Sequence, residues 1–207
     1  MNESEGFTDK QRLRSRLKLL FIASIFFGPL IAAWVLYYGF PGAATDPNGN
    51  NGQLVNPARP LPPLSLQTPD GEAADELVFQ DQRWTYLYFA NQSCGDACLK
   101  RLYDTRQVRT ALGKRGPRVQ RIYIATDAQF LPRGEGFKEQ HPDLELYVDQ
   151  SGNLRDFLNE SVEQAGRNNI IYLVDPLGNW VLYYRPGDAA KGLLEDTKRL
   201  LKLSHIG

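Results

Sequence analysis

The chain has 207 residues, in which 24 Lys and Arg balance 24 Asp and Glu, and this length accommodates one domain with accessory segments. The formal net charge is zero and no patch interleaves basic with aromatic residues, so the composition gives no electrostatic reason to bind nucleic acid. We therefore do not expect nucleic acid as a partner. One segment near the start departs from an ordinary globular composition.

That segment is an apolar run at residues 19–40 that contains no charged residue. A helix of this length spans about 33 Å, and a hydrocarbon core is about 30 Å thick. Pro29 falls near the middle, where membrane helices tolerate a kink, and an aromatic cluster lies towards the end, as in an interfacial belt: Trp34, Tyr37 and Tyr38. A cleaved signal peptide usually has a shorter apolar region. We predict an uncleaved transmembrane helix at residues 19–40, placed in a lipid bilayer.

The charges that flank this helix predict its orientation. Before it lie the basic residues Lys10, Arg12, Arg14, Arg16 and Lys18, and after it no Lys or Arg occurs until Arg59. The positive-inside rule makes residues 1–18 a cytoplasmic basic flank and puts the rest of the chain outside. The simplest interpretation is a single-pass protein of a bacterial inner membrane with a periplasmic C-terminal domain. Two cysteines in that oxidising compartment can persist as a disulfide.

Beyond the helix, the composition separates a linker from a folded domain. Residues 41–63 are rich in Gly, Asn and Pro, which predicts an extended linker. Residues 64–207 predict a folded domain with strands at 83–90, 118–125, 144–148, 170–174 and 180–184, and with helices at 99–112, 137–140, 153–162 and after residue 188. This order is typical of an α/β, thioredoxin-like fold, in which a central sheet carries helices on both faces.

The two cysteines of the chain, Cys94 and Cys98, form a CxxxC pattern between a predicted strand and a predicted helix. The first turn of a helix offers free N–H groups and the positive end of the dipole, which stabilise a thiolate. The pair is therefore a candidate for catalytic redox chemistry or for a soft metal ion. A purely structural disulfide is the alternative, although closing so short a loop contributes only about 2 kcal/mol. We expect Asp96 to face solvent and complement the dipole, because an inward carboxylate would oppose thiolate formation.

The cysteine region resembles that of the Sco/SenC family, which reads Tyr-Phe-Gly-Phe-Thr-x-Cys-Pro-Asp-x-Cys-Pro. The matching residues are Tyr88, Phe89, Cys94, Asp96 and Cys98, while the glycine, phenylalanine, threonine and both prolines of the family differ. Residues 141–144 and 170–178 are similar to a His-Pro stretch and a hairpin of that family. The resemblance implies a thioredoxin-like domain on one N-terminal anchor. It also implies a role in assembling the copper centre of cytochrome c oxidase subunit II, as copper carrier, thiol reductant or both.

The chain departs from this family at the position of the third copper ligand, which is a histidine. Counting back from the hairpin strand places Arg167 there, and a guanidinium has no lone pair for a metal ion. The resemblance thus leaves two thiolates, which suit Cu(I), and makes Cu(II) harder to hold. Arg167 either lowers the pKa of a nearby thiol or pairs with Glu163 on an exposed loop. We expect His141 to pack near the sheet and His205 to lie exposed in the C-terminal tail.

These observations predict a membrane-anchored periplasmic protein that assists cytochrome c oxidase assembly through reversible chemistry at Cys94 and Cys98. Such chemistry would make it a thiol–disulfide oxidoreductase. Two alternatives stay open: a Cu(I) chaperone that completes its site with a ligand from a partner, and a non-catalytic assembly factor whose disulfide is structural. The expected partner is oxidase subunit II or another oxidase assembly factor. An ordinary thioredoxin is disfavoured, because no proline immediately precedes Ile170.

The orientation is testable with reporter fusions. The basic flank predicts that a reporter active only in the periplasm works when fused at residue 207 and fails when fused near residue 15. A reporter active only in the cytoplasm is the control and should give the reverse pattern. Periplasmic activity at residue 15 would contradict both the orientation and the oxidising compartment.

Overall fold

In a computed structural model the chain divides into two compact units, Met1–Gly49 and Asn50–Gly207. The residues that the structure describes are 9–39, 49–75, 78–79, 81–134, 136–161 and 168–204.

The first unit contains helix α1 (Asp9–Gly39), with Pro29 inside it. Its stretch Arg16–Val35 is long and apolar enough to cross a membrane, and none of that stretch is buried. The helix begins before the predicted span at residue 19, because Lys and Arg are good helix formers and continue the apolar run as helix. Residue 40, predicted as the end of the span, lies outside the described residues.

In the described part of the second unit, the strands form one sheet and the helices cover both of its faces. The strands are β1 (Gln53–Pro60), β2 (Leu66–Gln67), β3 (Trp84–Ala90), β4 (Val119–Ala125), β5 (Leu144–Asp149), β6 (Ile171–Val174) and β7 (Asn179–Tyr184). The helices are α2 (Asp96–Ala111), α3 (Phe137–Gln140), α4 (Asn153–Ser161) and α5 (Ala190–Leu203), with short 3₁₀ turns at Gly113–Arg118 and Ala128–Phe130.

The strand order is β1-β7-β6-β3-β4-β5-β2. Strands β3, β4 and β5 run parallel, while β6 runs antiparallel to β3 and β7 runs antiparallel to β6. Helix α2 connects β3 to β4, as a parallel pair requires. This arrangement confirms the predicted thioredoxin-like α/β fold.

Strand β3 lies between two apolar cores because it is covered on both faces. Tyr86 and Tyr88 point to one face, where α2 and α5 pack through residues such as Leu102 and Leu193. Leu87 points to the other face, where Leu154 of α4 packs. The alternation of these side chains along one strand follows the two-residue period of β structure.

The predicted linker at 41–63 is wrong for its second half, because residues 53–60 form β1 at the edge of the sheet. Gln53 pairs with Tyr183 and Pro60 with Asn179 of β7, with a register shift in between. Pro is tolerated on an edge strand, whose outer N–H groups need no partner in the sheet. The second unit therefore begins at residue 50 and not at 64. Residues 41–48 lie outside the described residues.

A buried carboxylate fastens the start of β1 to α5. Asp196, only 1% exposed, accepts hydrogen bonds from the backbone N–H groups of Asn51 (2.8 Å) and Gly52 (2.9 Å) and from the Tyr184 hydroxyl (2.8 Å). A Cβ at Gly52 would lie 2.6 Å from the Tyr184 ring, so this approach requires glycine. Asn51 and Gly52, which lie in the stretch predicted as a linker, thus make a tertiary contact with Asp196 of α5.

Candidate functional site

The candidate site is the turn that joins the end of β3 to the start of α2. Cys94 and Cys98 form a disulfide there, with a Cα–Cα distance of 5.2 Å. Cys98 lies in the first turn of α2 and is 4% exposed, while Cys94 is half-buried. This difference in burial makes Cys94 the cysteine that a second protein can reach.

The helix end beside the cysteines carries no side-chain cap, since its N-cap residue is Gly95. The first-turn N–H groups and the positive end of the helix dipole therefore face the disulfide region without a side-chain cap, and there they favour an anionic sulfur. Asp96 is exposed and lies in the first turn of α2. A carboxylate in this position can complement the helix dipole from the solvent side.

The turn before β6 forms the opposite wall of the site. Asn168 and Asn169 line a small polar cavity together with Cys94 and Tyr88. Burial raises the pKa of Tyr88, so its hydroxyl stays protonated and donates a hydrogen bond to Asn169 Oδ1. Asn169 has a φ of 62°, a left-handed conformation that asparagine adopts more readily than most residues.

Arg101 is not among the residues predicted from the sequence, yet its buried guanidinium links α2 to this wall. Its Nε donates to the Asn169 carbonyl oxygen (3.2 Å), and its Nη atoms donate to carbonyl oxygens of Tyr184, Arg185 and Asp188. The available signal was its spacing: Arg101 falls on the helix face of Cys98 and Thr105, both of which are buried.

The structure places His141 away from the cysteines. Its Nδ1 lies 3.5 Å from Nη2 of Arg121, and its ring packs on Phe137 with centroids 4.8 Å apart. Leu144 pairs with Arg121 near the amino end of β4, whereas the cysteine turn follows the carboxyl end of β3. His141 is buried, as expected for a packing residue.

The described residues contain no group of three or more His, Cys, Asp or Glu side chains arranged to hold a metal ion. Within them, Cys94 and Cys98 are the soft donors, and once reduced they offer two sulfurs to Cu(I). Arg167 and His205, the other residues singled out from the sequence, lie outside the described residues.

The environment of His141 predicts a pH-dependent stability. Burial lowers its pKa, as do Arg121 and Arg106, while Asp143 opposes them. The unfolded chain therefore takes up a proton near pH 6.5, and the folded domain does so only at lower pH. Above pH 6.5 His141 is neutral in both states and does not reduce the free energy of unfolding. As the pH decreases below 6.5, the free energy of unfolding falls by at most about 1.4 kcal/mol per pH unit.

We expect His141→Gln to flatten this dependence between pH 7 and pH 5. The measurement is urea unfolding of native and variant full-length chains at several pH values in that interval. The difference between the two slopes isolates the histidine, because the other titrating groups are common to both chains. Equal slopes would show that His141 titrates alike in the folded and unfolded states.

Two family models match the chain. One, described as a transmembrane-like, thioredoxin-like, C-terminal domain, covers residues 84–204, from β3 to the end of α5. The other, described as a transmembrane-like N-terminal domain, covers residues 9–39, which is all of α1. The second match and the apolar length of α1 support a single-pass membrane anchor. No curated protein matches the chain.

Solved structures of Sco proteins share the fold. Apo Sco1 from Thermus thermophilus is 21% identical with a TM-score of 0.57, over 73% of this chain and 96% of that one. Arabidopsis thaliana ScoI with copper bound is 20% identical with a TM-score of 0.53, over 69% of this chain and 98% of that one. BsSco is described as a member of the Sco family of cytochrome c oxidase assembly proteins. It is 16% identical with a TM-score of 0.51, over 73% of this chain and 99% of that one. The sequence-based resemblance to Sco proteins is thus confirmed in the fold.

Proposed function

We propose that this chain, which belongs to the transmembrane-like, thioredoxin-like family, assists cytochrome c oxidase assembly by thiol–disulfide exchange at Cys94 and Cys98. The observation that carries the proposal is the pairing of a half-buried sulfur with a buried one at an uncapped helix start. An accessible sulfur can attack a partner, and a buried neighbour can then release that partner. BsSco, which shares the fold, is described as having a disulfide switch.

The exchange begins from the reduced chain. The Cys94 thiolate attacks one sulfur of a disulfide in the partner, and the other partner sulfur leaves as a thiolate that takes up a proton. Cys98, deprotonated in turn, attacks Cys94 Sγ in the mixed disulfide and releases the second partner thiol. Two electrons pass to the partner, its two thiols take one proton from Cys98 and one from solvent, and the Cys94–Cys98 disulfide forms. A dithiol protein reductant restores the reduced pair by the reverse exchange.

We place this chemistry on the periplasmic side of a bacterial inner membrane. The basic residues before the apolar run and their absence after it support that orientation. The partner we propose is cytochrome c oxidase subunit II or another oxidase assembly factor. The cysteine-region resemblance and the family description of BsSco support this choice.

Trapping of the mixed disulfide tests the proposal. In Cys98→Ser the second attack cannot occur, so the partner should stay bonded to Cys94 and migrate with it on a non-reducing gel. Cys94→Ser is the matched control, because its remaining Cys98 is buried and should trap far less. The full-length variants are expressed in cells that assemble the oxidase, and thiols are quenched with acid before analysis. Equal trapping by both variants, or a partner unrelated to the oxidase, would contradict the proposal.

A second candidate function is transport of Cu(I) to the oxidase. The adjacency of the two sulfurs favours it, since two thiolates suffice for Cu(I). Arabidopsis thaliana ScoI, which shares the fold, is described with copper bound. In this function copper is cargo, and the partner supplies any further ligand.

Copper titrations separate the two functions. The reduced full-length chain should bind Cu(I) through both cysteines. With Cu(II) it should give little thiolate-to-copper charge-transfer absorption, because residue 167 is an arginine and not a histidine. Arg167→His should gain that absorption, and the same substitution in a Cys94→Ser background is the control that should not. A strong, stoichiometric Cu(II) band from the native chain would favour the copper carrier over the thiol reductant.

A further inference from the structure

Arg101 is a buried cation on the face of α2 that carries Cys98. The two residues are three apart in the helix, so their side chains are neighbours on one face. Arg101 is 7% exposed and Cys98 is 4% exposed. The charge of an arginine persists in such a place, because the guanidinium does not lose its proton in proteins.

The hydrogen-bond partners of Arg101 leave its charge largely uncompensated. The four acceptors given above are backbone carbonyl oxygens, which carry dipoles and no formal charge. Asp104 and Asp188 act on Arg101 through space, but the Asp104 carboxylate binds Lys100 at 3.1 Å. Asp188 Oδ2 accepts a hydrogen bond from the Arg185 N–H at 2.6 Å. A guanidinium whose four direct acceptors are uncharged, and on which Asp188 acts only through space, therefore lies beneath the cysteine turn.

We propose that Arg101 is a positioning residue that favours the reduced, thiolate form of the Cys94–Cys98 pair and holds the Asn168–Asn169 turn against Cys94. The inference deepens the proposed thiol–disulfide exchange and rests on it. In the half-reaction, the disulfide takes up two electrons and one proton to give one thiol and one thiolate. The disulfide is neutral and the product is an anion, so a nearby buried cation stabilises the reduced side.

The second part of the role is mechanical. Asn169 is held at its carbonyl oxygen by Arg101 and at its side-chain oxygen by the Tyr88 hydroxyl. With Asn168 it lines the cavity beside Cys94. The same guanidinium reaches Tyr184, at the end of β7. Arg101 thus links α2 to the Asn168–Asn169 turn and to the end of β7.

The test is a redox equilibrium of the full-length chain in detergent with buffers of reduced and oxidised glutathione. Arg101→Gln removes the charge but keeps a polar side chain with two N–H donors. We expect its equilibrium constant for reduction to fall about tenfold, equivalent to about 30 mV towards the disulfide. Lys114→Gln is the control, since it removes an exposed positive charge just beyond the end of α2 that is opposite the cysteines, and we expect no measurable change.

A second measurement is the thiol pKa of the reduced chains, obtained from thiolate absorbance as a function of pH. If Arg101 were purely structural, this pKa would not change when its charge is removed. The more acidic thiol should titrate at a higher pH in Arg101→Gln than in the native chain, and Arg101→Lys should restore most of the native value. An unchanged equilibrium constant and thiol pKa in a folded Arg101→Gln chain would overturn the inference. If that variant fails to fold, Arg101→Lys decides: a thiol pKa near the native value supports the inference, and one near the free-thiol value of about 8.5 overturns it.

These measurements need no partner protein. A failure of the trapping experiment would therefore count against the proposed function and leave the role of Arg101 standing. An unchanged redox equilibrium would count against Arg101 alone.

Discussion

The site depends on the position of β3 between a parallel and an antiparallel neighbour. Pairing with β4 requires a helical crossover, and this puts the start of α2 at the carboxyl end of β3. Because β6 runs antiparallel, with Tyr88 opposite Ile171, the residues before β6 lie at that same end. The strand directions therefore bring the cysteine turn and the Asn168–Asn169 turn to the same end of the sheet, where they line one cavity.

Buried arginines then fix α2 onto this sheet. Arg121 of β4 is fully buried and donates to Thr105 Oγ1 (3.1 Å), the Leu102 carbonyl oxygen (2.6 Å) and Asp143 Oδ1 (2.9 Å). Arg101 makes the corresponding contacts towards β6 and β7. Truncating a buried charged partner leaves the other group unpaired and is usually costly. The inner side of α2 is thus held by directional bonds at both edges, which keeps Cys98 buried and turns Cys94 outwards.

The parts predicted from sequence are those with a local signal. The strand of Trp84–Ala90, the helix after the CxxxC pattern and the apolar anchor each have a periodicity or a composition of their own. Strand β1 has none, because it forms by pairing with β7, far along the chain, through residues such as Gln53 and Pro60. Arg101 and Arg121 are charged residues whose burial is compensated by distant carbonyls and by Asp143. The spacing of Arg101 indicates its helix face, but no window of sequence around either arginine shows which distant groups compensate its burial.

The central claim is that the disulfide is a reversible couple on a fold that does not require it. Urea unfolding of the full-length chain in detergent, as disulfide and as dithiol, tests this directly through the fluorescence of the buried Trp84 and Trp180. Because the loop between the cysteines is short, we predict two cooperative transitions whose free energies of unfolding differ by no more than about 2 kcal/mol. A dithiol form that is unfolded without urea, or a disulfide that resists dithiothreitol in the native state, would contradict the account and make the bond structural.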